Sequence, residues 1–205
     1  MKKVLLTAFE AFDGETINPS MEALLAIKKI SFDGVTIDVL ELPVDRFVAL
    51  AMVLERLRET RPDVVIMLGE AGRRYRVTPE RVAINVDDFR IPDNVGNQPK
   101  GEAIVEGAPV AYFSTLPIYE IVDGLKAVNI PAAISNSAGT YLCNRIFYAV
   151  MHHLAENQLT TRAGFIHLPY IHEQVIDKKY DFPSLSRETV IAAVRIAIEA
   201  SIARE

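Results

Sequence analysis

The chain has 205 residues, half of them hydrophobic, enough to build one well-cored domain over residues 1–205. A net charge of -5 gives no basic footprint for a nucleic-acid partner, and no apolar stretch approaches membrane-spanning length. One cysteine, Cys143, closes no internal disulfide, and the apolar run after Lys2-Lys3 is short and broken by Glu10 and Asp13, so no signal peptide is read and a cytoplasmic location is expected.

Residues 4–9 form an apolar run of strand length that ends in a loop holding Phe12. Asn18-Pro19-Ser20 signals a helix start, and residues 21–30 follow as that helix. After the Asp33-Gly34 turn, residues 35–40 alternate as a strand. Phe47, Leu50, Ala51, Leu54 and Leu57 recur at helical spacing over residues 46–59, and Arg61-Pro62 stops that helix. Residues 63–68 form the next buried strand and close on Gly69-Glu70-Ala71-Gly72. Strand and helix alternate, which predicts an α/β fold: three layers, with a twisted, mixed and largely parallel sheet covered by helices on both faces.

The middle differs. Residues 75–89 look extended, and residues 91–111 carry three prolines and three glycines in an irregular excursion of the kind that is usually functional or mobile. A helix from Leu116-Pro117 to about Asn129, a strand at 132–135, a helix after Cys143, a strand at 164–169 and a final helix capped by Ser186 complete the order.

Cys143 lies just after a small polar turn and near a helix start, where unpaired N–H groups and the helix dipole favour a thiolate. A lone cysteine is also an ordinary buried hydrophobe. His167 sits near the C-terminal end of a core strand, where ligands and catalytic groups gather in open α/β sheets. A core histidine satisfied by a carbonyl fits that feature equally well. Adjacent His152 and His153 read as surface or packing residues, and His172 has no evident partner. No histidine pair shows i, i+4 spacing, and with one cysteine a structural zinc site is not expected. Gly69-Glu70-Ala71-Gly72 lacks the pattern of a phosphate loop and reads first as a turn, although a nucleotide- or flavin-binding module stands as the second class of reading. Glu80 alone reads as an ion-paired strand residue.

Five blocks, residues 4–12, 79–85, 90–94, 137–144 and 164–170, together resemble the pyrrolidone carboxyl peptidases, also called type I pyroglutamyl peptidases, in order and spacing from Val4 to about Ile176. The resemblance implies a cysteine peptidase that removes an N-terminal pyroglutamyl residue from peptides through a triad falling on Glu80, Cys143 and His167. It implies a homotetramer and no metal or cofactor. It implies Phe9 and Phe12 as walls beside the substrate ring, Tyr141 and Leu142 completing the pocket, and the Cys143 N–H with a group at or near Arg90 facing the oxyanion. Asn18 serves the pocket loop or only caps its helix, and Glu70 stands at the pocket lip. The chain departs from the family pattern at Ala8, Ala11, Asp13, Glu70, Arg73 and His172, none of them in the triad.

Overall fold

The computed structural model describes residues 1–203. In chain order the elements are β1 (Lys2–Phe9), α1 (Pro19–Ile27), β2 (Val35–Leu42), α2 (Val48–Thr60), β3 (Val64–Glu70), β4 (Thr78–Pro79), β5 (Val82–Ile84), β6 (Ala111–Phe113), α3 (Ile118–Ala127), α4 (Leu142–Glu156), β7 (Arg162–Leu168), β8 (Tyr170–Ile171), α5 (His172–Val175), β9 (Ser184–Leu185) and α6 (Arg187–Ala203). The central sheet has the order β2-β1-β3-β7-β4, parallel except where β4 runs against β7. The α/β fold with a mixed, largely parallel sheet is as expected. Among the described residues, no helix is long and apolar enough to cross a membrane.

The apolar runs are continuous because both faces of the sheet are covered. Even positions such as Val4, Leu6, Val64, Ile66, Ile166 and Leu168 join one core with residues of α1, α3 and α6. Odd positions such as Leu5, Phe9, Val65, Met67 and Phe165 join a second core with residues of α2 and α4. The two-residue side-chain period therefore places Phe9, Gly69 and His167, all at strand ends, on the α4 side.

Helix ends follow their caps. Asn18 Oδ1 accepts from the Ser20 N–H at 3.0 Å, and Pro19 occupies the first position of α1. The Asp45 carboxylate accepts from the Phe47 and Val48 N–H groups, so α2 begins two residues later than its apolar spacing suggests. It ends with Arg61 in a left-handed conformation, φ 45°, just before Pro62.

The strand expected at 132–135 is not a regular one. Residues 131–135 do lie beside 77–81, joined by bonds such as Val77 N–H to Pro131 O and Ser135 N–H to Pro79 O. Pro79 has no N–H to give, so the ladder breaks in the middle and only isolated parallel bridges remain. The extended stretch at 75–89 is divided between β4, which joins the main sheet, and β5, which pairs with β6.

The excursion is held by charge. Asp87 is fully buried and pairs with Arg145 of α4 and, at 3.1 Å, with Arg46. Asn144 exchanges hydrogen bonds with Ile84 at 3.0 and 2.9 Å and donates to Val86 O at 3.1 Å. The first turn of α4 is thereby fixed to the middle of the chain. Removing Asp87 leaves the buried Arg145 guanidinium without its acid, while Arg46 keeps Glu102 at 3.0 Å, a loss of about 3–5 kcal/mol. Asp87→Ala should lower the unfolding midpoint by on the order of 10 °C; a change of less than ~2 °C in a thermal melt would contradict this account.

Candidate active site

The site forms where β1, β3 and β7 end. Gly69 pairs in register with His167 across the parallel β3–β7 ladder. A methyl group on Gly69 would lie 2.8 Å from Cys143 Sγ and 2.6 Å from the Phe165 ring. Only glycine lets the sulfur sit this close to the sheet. The Gly69-to-Gly72 turn is thus used for packing, since a side chain on Gly72 would enter the Tyr170 ring. Nothing in it suggests a phosphate cradle.

His167 and Glu80 meet by sheet geometry. Thr78 of β4 faces His167 in the antiparallel pairing, and the Glu80 N–H bonds to Phe165 O at 2.8 Å. Glu80 Oε1 then lies 2.7 Å from His167 Nδ1, with the Glu80 side chain fully buried. Arg74 supports the carboxylate from the other side, donating to Glu80 Oε1 at 2.5 Å, Thr78 Oγ1 at 2.6 Å and Ser137 O at 3.0 Å. Burial is the largest single influence on Glu80 and pushes its pKa up. The His167 hydrogen bond and charge, with Arg74, outweigh it and hold Glu80 below its ordinary value. With Nδ1 donating to an ionised Glu80, Nε2 is the ring nitrogen that remains for other partners.

Cys143 is the second residue of α4 and is half-buried. The pull of the helix start toward a thiolate is opposed here: burial, reinforced by the charges of Glu80 and Glu70, pushes the thiol up to about 12, against smaller lowering influences from Arg74 and the Cys143 N–H. Burial and the neighbouring carboxylates thus favour the neutral thiol over the thiolate at this position.

Beside the sulfur is a cavity of about 20 Å³, lined by Phe9, Phe12, Asn18, Val44, Glu70, Tyr141, Leu142 and Cys143. The side chains suggested by the resemblance converge here, apart from Arg90, and Val44 is an addition that its place between Pro43 and Asp45 does not mark. The Tyr141 ring rests 4.6 Å from Phe89 and 6.0 Å from Phe12 between centroids. The space left among them holds about one water. Asn18 does both jobs considered for it, capping α1 and donating to Glu10 O at 3.0 Å to tie down the loop. Arg90 lies outside, its side chain 79% exposed and 3.9 Å from Asp13, in an adjoining cleft of about 390 Å³. A larger cavity of about 1080 Å³ opens at the opposite ends of the strands, around Arg58, Arg61 and Arg162, and holds none of Cys143, His167 and Glu80.

His152 bonds to the Tyr112 hydroxyl at 2.9 Å and His172 to Ser184 Oγ at 2.8 Å, away from this site. Among the described residues no group of three or more His, Cys, Asp or Glu side chains is arranged to hold a metal ion. Asn144, Arg145, Arg74 and Gln174, which position the site, carry no pattern in the sequence that marks them.

An α/β sheet with a cysteine, a histidine and a buried carboxylate gathered at its strand ends has the architecture of a thiol hydrolase. A family model described as pyroglutamyl peptidase matches residues 2–204, and the chain belongs to that family. It is similar to the pyrrolidone-carboxylate peptidase of Vibrio parahaemolyticus, 46% identical over all of this chain and 95% of the relative. It is similar also to pyrrolidone-carboxylate peptidase 1 of Caldanaerobacter subterraneus, 45% identical over 96% of each. The crystal structure of pyroglutamyl peptidase I from Bacillus amyloliquefaciens superposes with a TM-score of 0.94 at 44% identity, covering 99% of this chain and 96% of that one. A mutant pyrrolidone carboxyl peptidase from Pyrococcus furiosus gives 0.95 at 44% identity over 98% of each.

Glu70 has a consequence for stability. Burial raises its pKa to about 7, opposed by a hydrogen bond from Gln174 Nε2 at 2.8 Å. A carboxyl whose folded pKa is raised favours folding while protonated, and that advantage is lost as pH climbs through the folded value. The wild type should lose roughly 2–3 kcal/mol from this group between pH 4.5 and 8. Glu70→Gln should therefore gain in unfolding midpoint over the wild type at pH 8 and differ little at pH 4.5. An equal difference at both pH values would contradict the assignment.

Proposed function

We propose that the chain hydrolyses the amide bond following an N-terminal pyroglutamyl residue of peptides, with Cys143 as nucleophile, His167 as general base and acid, and Glu80 holding the imidazole. The observation that supports this assignment most is the 2.7 Å contact between His167 Nδ1 and a fully buried Glu80, beside the Cys143 sulfur, in a chain of the pyroglutamyl peptidase family. The curated relatives bear the name pyrrolidone-carboxylate peptidase.

As Cys143 Sγ attacks the carbonyl carbon, His167 Nε2 takes the thiol proton, and the charge on the imidazolium is met by Glu80. Coupling proton transfer to attack avoids the cost of a free thiolate in a site where two carboxylates disfavour it. The oxyanion lies at the start of α4, where the Cys143 N–H is aimed close to its own sulfur. The imidazolium gives its proton to the departing amine and leaves a thioester, which a water activated by the same histidine hydrolyses. Phe9, Phe12, Tyr141 and Leu142 enclose the pyroglutamyl ring. Their cavity holds about one water, so the ring enters by displacing side chains that line it. Arg90 would reach the oxyanion only by leaving Asp13.

The reading extends to a single domain over residues 1–205 and to a cytoplasmic setting, which keeps a catalytic thiol reduced. It also extends to a homotetramer. Exposed Val110 and Phe113, at 85% and 69%, suit a subunit contact at the end of the excursion. Light scattering should give the tetramer mass at micromolar concentration, and a monomer there would contradict it.

Release of a chromophore from a pyroglutamyl amide tests the activity. It should vanish after thiol alkylation and fall by about four orders of magnitude or more in Cys143→Ala and His167→Ala, with Glu80→Gln retaining more than either. Near-normal turnover in Cys143→Ala would refute the mechanism.

Specificity follows from desolvation. The lactam is neutral, whereas a glutaminyl or prolyl terminus brings an ammonium that costs several kcal/mol to bury between rings, on the order of a thousandfold in rate. An ionised Glu70 offsets part of that cost. The kcat/KM for pyroglutamyl amide should exceed those for glutaminyl and prolyl amides, and Glu70→Gln should widen the gap against glutaminyl. Equal values for pyroglutamyl and glutaminyl amides would mean that the cavity is not the ring site.

A further inference from the structure

The cavity beside Cys143 is lined by Phe9, Val44 and Leu142 among others, and a ring held there needs a way out for the rest of the peptide. That way is the adjoining cleft of about 390 Å³, which shares Phe12 and Glu70 with the cavity and is lined also by Asp13, Glu15, Gly72, Arg73, Arg74, Arg90 and Tyr170. Its volume is within the roughly 300–1,000 Å³ of small-ligand sites and has room for a short stretch of peptide. Gly72 lies against the Tyr170 ring, with no room for a Cβ.

The formal charges around this cleft nearly cancel, but their commitments do not. Glu15 is paired with Lys178, whose ammonium also stands 4.7 Å over the Tyr170 ring. Glu70 accepts from Gln174, and burial keeps it largely protonated below pH 7. Arg74 is engaged by Glu80 and Thr78. Asp13 meets Arg90 only at 3.9 Å, with both side chains more than half exposed. Arg73 is exposed, and among the described residues it has no carboxylate within ion-pair distance. What faces the cleft uncommitted is cationic, on Arg73 and in part on Arg90.

We propose that this cleft is the subsite for the released part of the peptide and that Arg73, seconded by Arg90, makes it prefer acidic residues just beyond the scissile bond. The inference rests on the peptidase reading. An exposed pair contributes modestly, so reversing the substrate charge should change kcat/KM by about five- to tenfold.

The test uses C-terminally amidated pyroglutamyl-Glu-Ala, pyroglutamyl-Gln-Ala and pyroglutamyl-Lys-Ala on the wild type, Arg73→Gln and Arg73→Glu, at low and high salt and at pH 6.5. The expected result is the order Glu above Gln above Lys in the wild type. The Glu-to-Lys ratio should fall toward one in Arg73→Gln, invert in Arg73→Glu and collapse in 1 M salt, where the screening length is only about 3 Å. Cleavage of all three at equal kcat/KM in the wild type overturns the subsite assignment, as does a ratio that neither Arg73 variant nor salt alters. Failure to cleave any of the three, together with no release from a pyroglutamyl anilide, refutes the peptidase reading and the subsite with it.

Discussion

Removing a carboxylate from water costs several kcal/mol unless its oxygens find charged or hydrogen-bonded partners, and Glu80 is fully buried. Its Oε1 is shared by His167 Nδ1 and Arg74 Nη1, so charge balance at this one residue joins β7 to the turn after β3. A histidine held in this way has one tautomer and one orientation, and its second nitrogen is free to work. The same carboxylate raises the thiol pKa, so in the proposed mechanism the sulfur and the imidazole act together, His167 taking the thiol proton as the sulfur attacks.

Position is supplied by two further constraints. Parallel pairing of β3 with β7 places Gly69 opposite His167, and the missing side chain of Gly69 lets the start of α4 descend until Cys143 touches the sheet. Asn144 and Arg145, the next two residues, are fastened to Ile84, Val86 and Asp87. Cys143 therefore stands between a packed glycine on one side and a buried ion pair on the other, with little freedom to move.

Much of this is legible in the sequence. The strands β1, β3 and β7 are continuous apolar runs, and their order with the helices gives the α/β sheet. Cys143, His167 and most of the pocket are found because several blocks resemble one family, while the residues alone leave a core cysteine and a core histidine equally acceptable. Other parts are hidden for physical reasons. The broken ladder at 131–135 depends on the missing N–H of Pro79 in another segment. β8, α5 and β9 are too short to show any period. Arg74 and Arg145 look like ordinary surface arginines until their partners, far away in sequence, are known. The perturbed thiol cannot be read from its position at a helix start, because burial and neighbouring carboxylates outweigh the dipole.

The central claim, that the reaction passes through Cys143 activated by a His167 oriented on Glu80, is tested most directly by trapping the acyl group. A pyroglutamyl nitrophenyl ester, with its good leaving group, should acylate faster than the thioester is hydrolysed. Acid quenching in the first turnover, followed by intact-mass and peptide mapping, should show one pyroglutamyl group on the peptide bearing Cys143. The adduct should form far more slowly in His167→Ala. A burst of nitrophenol with no acyl group on Cys143, or an adduct forming as fast without His167, would contradict the account.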